Sequence, residues 1–134
     1  MTITLSNERM ALASADTAKL DATPMAKNAL DIARLQYADL IVIETGTSRY
    51  EFTVLDPVMR EGVMRGGVLD APFVSVKWTG TVIKSAMSDF FDRKVLSCGG
   101  RAVFHIVNAP SPHNLLVTST IVRLFLQRNP AAVG

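Results

Sequence analysis

Ser48–Gly67 reads SRYEFTVLDPVMREGVMRGG, and this stretch decides the fold. Tyr50, Phe52 and Val54 alternate with Glu51, Thr53 and Leu55. Successive side chains of a strand point to opposite faces, so the first trio shares one buried face. Asp56-Pro57 ends the strand, because proline has no N–H for the ladder and aspartate favours turns. A second short strand is predicted over Glu61–Arg65, closed by Gly66-Gly67. The expectation is a β-hairpin that nucleates a small, strongly twisted sheet.

Upstream, Tyr37–Gly46 (YADLIVIETG) reads as another strand. Its Leu40-Ile41-Val42-Ile43 run is continuous rather than alternating, which predicts burial on both faces. Gly46-Thr47-Ser48 is the turn into the hairpin. Further back, Thr23-Pro24 has the chemistry of a helix start, a capping hydroxyl followed by proline. Met25, Ala26, Ala29, Leu30, Ile32, Ala33 and Leu35 recur at spacings of three and four, opposite Lys27, Asp31 and Arg34. That spacing predicts a helix with one apolar stripe packed on the sheet. Residues 1–22, rich in Ala, Thr, Ser and Asp, are expected to form a flexible arm.

Downstream, Phe73–Lys84 (FVSVKWTGTVIK) is predicted as a strand with Val74, Val76 and Trp78 inward. Gly80 interrupts it and marks a bulge or corner. Ser88–Arg93 reads as a loop carrying Phe90 and Phe91. A strand over Ala102–Asn108 follows the Gly99-Gly100 turn, and Ala109–Pro112 is a second proline loop. Leu115–Gln127 is the last strand, bent near Ser119, where β-branched residues disfavour a helix. Residues 129–134 should fray. The fold class is therefore mainly β, a small β-barrel or sandwich of six to seven strands with one N-terminal helix packed on it. A single domain is expected over residues 23–128.

The run IETGTSRYEFTVLDP, then VMRGG, then VTSTIVR resembles a group of short bacterial proteins without an assigned activity. The resemblance spans about residues 24–124 and implies an N-terminal helix before a β-rich body. Its motifs are turn and strand residues, and it implies no functional residue.

At 134 residues the chain has the size of one ordinary domain. Apolar residues make up 49% and charged residues 19%, which argues for an ordered core. Either some apolar surface is left for a partner, or the core is β-rich and the surface sparsely charged. The single cysteine, Cys98, cannot form an internal disulfide, and a reducing, cytoplasmic home is expected. The start, MTITLSNERM, has no basic and apolar succession, so no signal peptide is expected. No apolar run reaches the roughly 18 residues of a spanning helix. Charge is uneven, since no acidic residue follows Asp92 while Arg93, Lys94, Arg101, Arg123 and Arg128 do.

No residue is singled out as catalytic, metal-binding or cofactor-binding, and no cofactor is expected. His105 lies mid-strand and His113 in a proline loop, without ligand-spaced companions. Cys98 lacks a Cys-x-x-Cys or histidine context and reads as a turn-flanking residue. Gly66-Gly67 and Gly99-Gly100 lack phosphate-loop spacing and read as turn glycines. Asp89 and Asp92 flank Phe90 and Phe91, which are interface candidates if exposed. Arg60, Arg65, Lys77 and Lys84 are candidates for anion binding, with Tyr50, Phe52 or Phe73 as aromatic company.

Three functions follow. The leading one is a non-enzymatic cytoplasmic module that self-associates as a homo-oligomer or docks on another protein, with no membrane. The second is a binder of single-stranded nucleic acid or another anionic ligand through the basic C-terminal part. The third is an enzyme whose site forms between subunits, for instance at His105 or Asp89.

Overall fold

The computed structural model describes residues 24–69 and 72–128 of the chain. The expected arm over 1–22 and the fraying tail over 129–134 lie outside the described residues. Eleven strands follow in order: β1 (Met25–Lys27), β2 (Ala29–Asp31), β3 (Leu40–Thr45), β4 (Arg49–Asp56), β5 (Glu61–Gly66), β6 (Val74–Ile83), β7 (Phe90–Asp92), β8 (Val95–Ser97), β9 (Arg101–Ile106), β10 (Leu115–Val117) and β11 (Ile121–Gln127).

The hairpin forms as its sequence dictates. β4 and β5 pair antiparallel, with Phe52 opposite Met64 and Glu51 opposite Arg65. Tyr50, Phe52 and Val54 are all buried. Asp56 accepts from Val58 N–H and Met59 N–H, both at 3.1 Å, and so folds the turn. The chain leaves β5 through Gly66 at φ 100° and Gly67 at φ 53°. A side chain at Gly67 would also collide with the Tyr50 ring, so only glycine lets the core ring pack there.

The hairpin sits mid-sheet. The nine-stranded sheet runs β1-β11-β3-β4-β5-β6-β9-β10, with β7 also paired to β6, and every pairing is antiparallel. Val76 and Trp78 on β6 and Phe104 on β9 complete the inner face with the hairpin trio. Phe52 and Phe104 meet edge to face, 5.3 Å between centroids and 63° between planes. Such a pair adds about 0.5–1.5 kcal/mol beyond its burial. Ile41, Val42 and Ile43 are all buried, as their continuous run predicts.

Three expectations need correction. First, residues 24–35 form no helix. They make β1, β2 and a single 3₁₀ turn, Ile32–Arg34, capped by Asp31 accepting from Ala33 N–H at 3.0 Å. β1 pairs with β11 and β2 with β8, and only Leu30, Ile32 and Leu35 of the supposed stripe are buried. Sheet pairing has overridden a stripe of which three members, Ala26, Ala29 and Ala33, are small. Second, the sheet is not a closed barrel, because its end strands β1 and β10 do not pair with each other. The two-stranded sheet β2–β8 lies apart, and its Leu30 and Leu96 join the one core. Third, the predicted loop over Ser88–Arg93 holds β7, and the predicted last strand is two strands. Thr118 makes the break between β10 and β11. Its buried hydroxyl accepts from Ala102 N–H at 3.0 Å and donates to the Ser119 carbonyl at 2.8 Å. No helix among the described residues is long and apolar enough to cross a membrane.

Candidate anion-binding cleft

Three cations converge where the β4–β5 turn meets β6 and β7. A cleft of about 460 Å³ is lined by Arg60, Lys77, Arg93, Trp78, Phe91 and Met59, together with Val58 and Thr79. The fold places Lys77 on β6 and fixes the two arginines more closely. Arg60 ends the Asp56-capped turn in the left-handed region, φ 62°. Its carbonyl accepts from Trp78 N–H at 2.9 Å, and its Nη1 donates to the Arg93 carbonyl at 2.6 Å. A non-glycine residue there costs about 1 kcal/mol or more, and such strain concentrates at functional sites. Arg93 follows β7, and Asp92 fixes the chain beyond it by accepting from Lys94 N–H at 2.8 Å and Val95 N–H at 3.0 Å.

Aromatic rings underlie both guanidiniums. Arg60 Cζ lies 5.4 Å from the Trp78 ring centroid and Arg93 Cζ lies 5.6 Å from that of Phe91. Stacking on a ring orients a guanidinium without consuming its N–H donors. Phe91 itself rests over Gly80, where any Cβ would fall 2.3 Å from its ring. The bulge predicted at Gly80 is present, with the β6–β9 register shifting between Trp78 and Gly80. Trp78 is 1% exposed, and its indole N–H has no acceptor among the described residues.

What sets these cations apart from Lys27, Lys94 and Arg101, which also lack a salt bridge among the described residues, is that the three line one cleft. No salt bridge to Arg60, Lys77 or Arg93 occurs among the described residues. Glu61 lies across from Lys77 in the β5–β6 register and is the nearest acid along that pairing. The other two anion-binding candidates are engaged elsewhere. Arg65 binds Glu51 at 2.7 Å and lies over Phe73, and Lys84 pairs with Asp89 at 3.8 Å. The structure thus brings Arg60 and Lys77 together and leaves Arg65 and Lys84 outside.

The interface candidates also divide. Phe91 lines the cleft at 40% exposure, while Phe90 is exposed outside it. Sequence reasoning did not single out Arg93 or Trp78 for this site. The absence of acids after Asp92 was the available signal for Arg93.

The remaining candidates stay apart. His105 Nε2 lies 3.4 Å from Asn114 Nδ2, His113 is exposed, and Cys98 Sγ reaches only the Lys27 carbonyl at 3.7 Å. No group of three or more His, Cys, Asp or Glu side chains suited to a metal occurs among the described residues. Comparison with protein-family models, curated proteins and solved structures returned no match for this chain.

Proposed function

We propose that this protein is a non-enzymatic binding module that captures an anionic ligand in the cleft of Arg60, Lys77 and Arg93. The observation that carries this reading is the charge arrangement. Three cations share the cleft with no salt bridge among the described residues, although Glu61 lies opposite Lys77, so a bound anion relieves the repulsion that remains. The Arg60 and Arg93 guanidiniums, laid against rings, keep forked donors suited to phosphate or carboxylate oxygens. A reducing, cytoplasmic setting fits the single thiol.

Trp78 is the one tryptophan and its ring centroid lies 5.4 Å from the Arg60 Cζ, so its fluorescence reports a change at Arg60. Titration with inorganic tripolyphosphate should change that emission saturably. Raising salt from about 0.05 M to about 0.2 M should weaken binding roughly tenfold, as ion displacement requires. An emission that does not respond at low salt defeats the reading.

A second reading is self-association through the sheet edge. Among the described residues no strand pairs with the outer side of β10, and Leu115 and Val117 on it are exposed. An unprotected edge is a template for another strand. Light scattering at tens of micromolar decides it. A concentration-dependent dimer lost in Val117→Lys supports it, and a monomer at every concentration ends it.

A further inference from the structure

We propose that the cleft's ligand is an unpaired stretch of nucleic acid, with its phosphates on the cations and its bases on the apolar walls. This inference rests on the anion-binding reading and specifies the ligand. Arg60 stands between two hollows. On one side is the aromatic cleft. On the other is a depression of about 350 Å³ that shares Val58 and Arg60 with it and is otherwise lined by Ile32, Ala33, Leu35 and Pro57. A charge between two hollows that each offer some apolar surface matches a phosphate flanked by two nucleosides.

The walls carry exposed apolar side chains beside the three cations. Val58 is 86% exposed, Met59 47% and Phe91 40%, all beside Arg60 and Arg93. A bare polyanion makes no use of those surfaces, whereas every base has an apolar face that does. Arg93 over Phe91 adds a guanidinium backed by a ring, a surface on which bases stack. An acidic peptide would satisfy the cations but leave the Phe91–Arg93 platform without a flat partner.

The test is fluorescence anisotropy of an end-labelled oligothymidylate of about ten nucleotides, within the span that one small domain covers. Tripolyphosphate, an oligoglutamate of matched charge and thymidine monophosphate serve as competitors. The oligonucleotide should bind more tightly than the first two. Phe91→Leu should weaken it about fivefold or more, the size of one lost base stack, while tripolyphosphate binding stays. Arg93→Lys keeps the charge but removes both the fork and the planar group, so it should weaken tripolyphosphate somewhat and the oligonucleotide by a clearly larger factor, even if Phe91→Leu unfolds. Thymidine monophosphate competing at equal affinity supports the same base-plus-phosphate chemistry with a free nucleotide as its source. Tripolyphosphate or oligoglutamate binding as tightly as the oligonucleotide, with neither variant altering the ratio, overturns the inference and leaves anion binding standing. If no probe binds at low salt, the anion-binding reading itself fails.

Discussion

At the scale of the residue, Arg60 and Arg65 look alike in sequence and differ entirely in the fold. Arg65 stands opposite Glu51 in the hairpin and is neutralised by it at 2.7 Å. Arg60 stands at the turn, strained and held against Trp78. Hairpin register alone could have shown the first pairing. The second needed the crossing of Arg60 to the Arg93 carbonyl, 33 residues away, which no local pattern carries. Gly80 belongs to the same scale. The three atoms nearest a methyl there would be the far atoms of the Phe91 ring, at 2.3, 2.6 and 2.8 Å. That ring is partly exposed and can swing outward, so Gly80→Ala should cost about 1 kcal/mol, at the low end for overpacking. Urea denaturation measures the cost. A loss above about 3 kcal/mol would mean that the ring is locked in place.

At the scale of the element, the outer face of the sheet carries a ladder of charge. Arg123 on β11 binds Glu44 on β3 at 2.7 Å, and Arg49 on β4 lies 3.6 Å from Glu44 and 3.1 Å from Glu51. Arg65 on β5 ends it at Glu51. The ladder crosses four adjacent strands and stops before β6, where the unpaired Lys77 begins the cleft. The arginines are more than half exposed, while Glu44 and Glu51 are 23% and 18% exposed, so the pairs are solvated from the arginine side. Glu51→Gln should therefore cost no more than about 1 kcal/mol, and the difference should shrink in about 1 M salt. Denaturation midpoints at two salt concentrations check this, and a large, salt-independent loss would contradict it.

Long elements were legible and short ones were not. β4 and β6 have 8 and 10 residues, enough for period-two alternation to appear in the sequence. β1, β2, β7 and β8 have 3 each and are defined by partners far along the chain. Residues 24–35 satisfy a helical stripe locally, yet Ile32 N–H donates to the Lys94 carbonyl and Cys98 N–H to the Asn28 carbonyl, each at 2.9 Å. Those long-range bonds hold the segment extended, and nothing within it announces them.

At the scale of the whole molecule, a net charge of +2 hides a division of labour. Acids pair with the arginines of β11, β4 and β5, while among the described residues the three cations of the cleft form no salt bridge. The candidate site was half legible, since composition marked the basic surplus while only the fold decides which cations are spare. The same tripolyphosphate titration, run on Arg60→Gln, Lys77→Gln, Arg65→Gln and Lys84→Gln across a salt series, tests the central claim most directly. The first two should each lose affinity by about fivefold or more and flatten the salt dependence, as loss of a charge-assisted contact does. The last two, whose charges are already spoken for by Glu51 and Asp89, should bind as the parent does. Equal losses in all four, or an affinity indifferent to salt, would contradict the account.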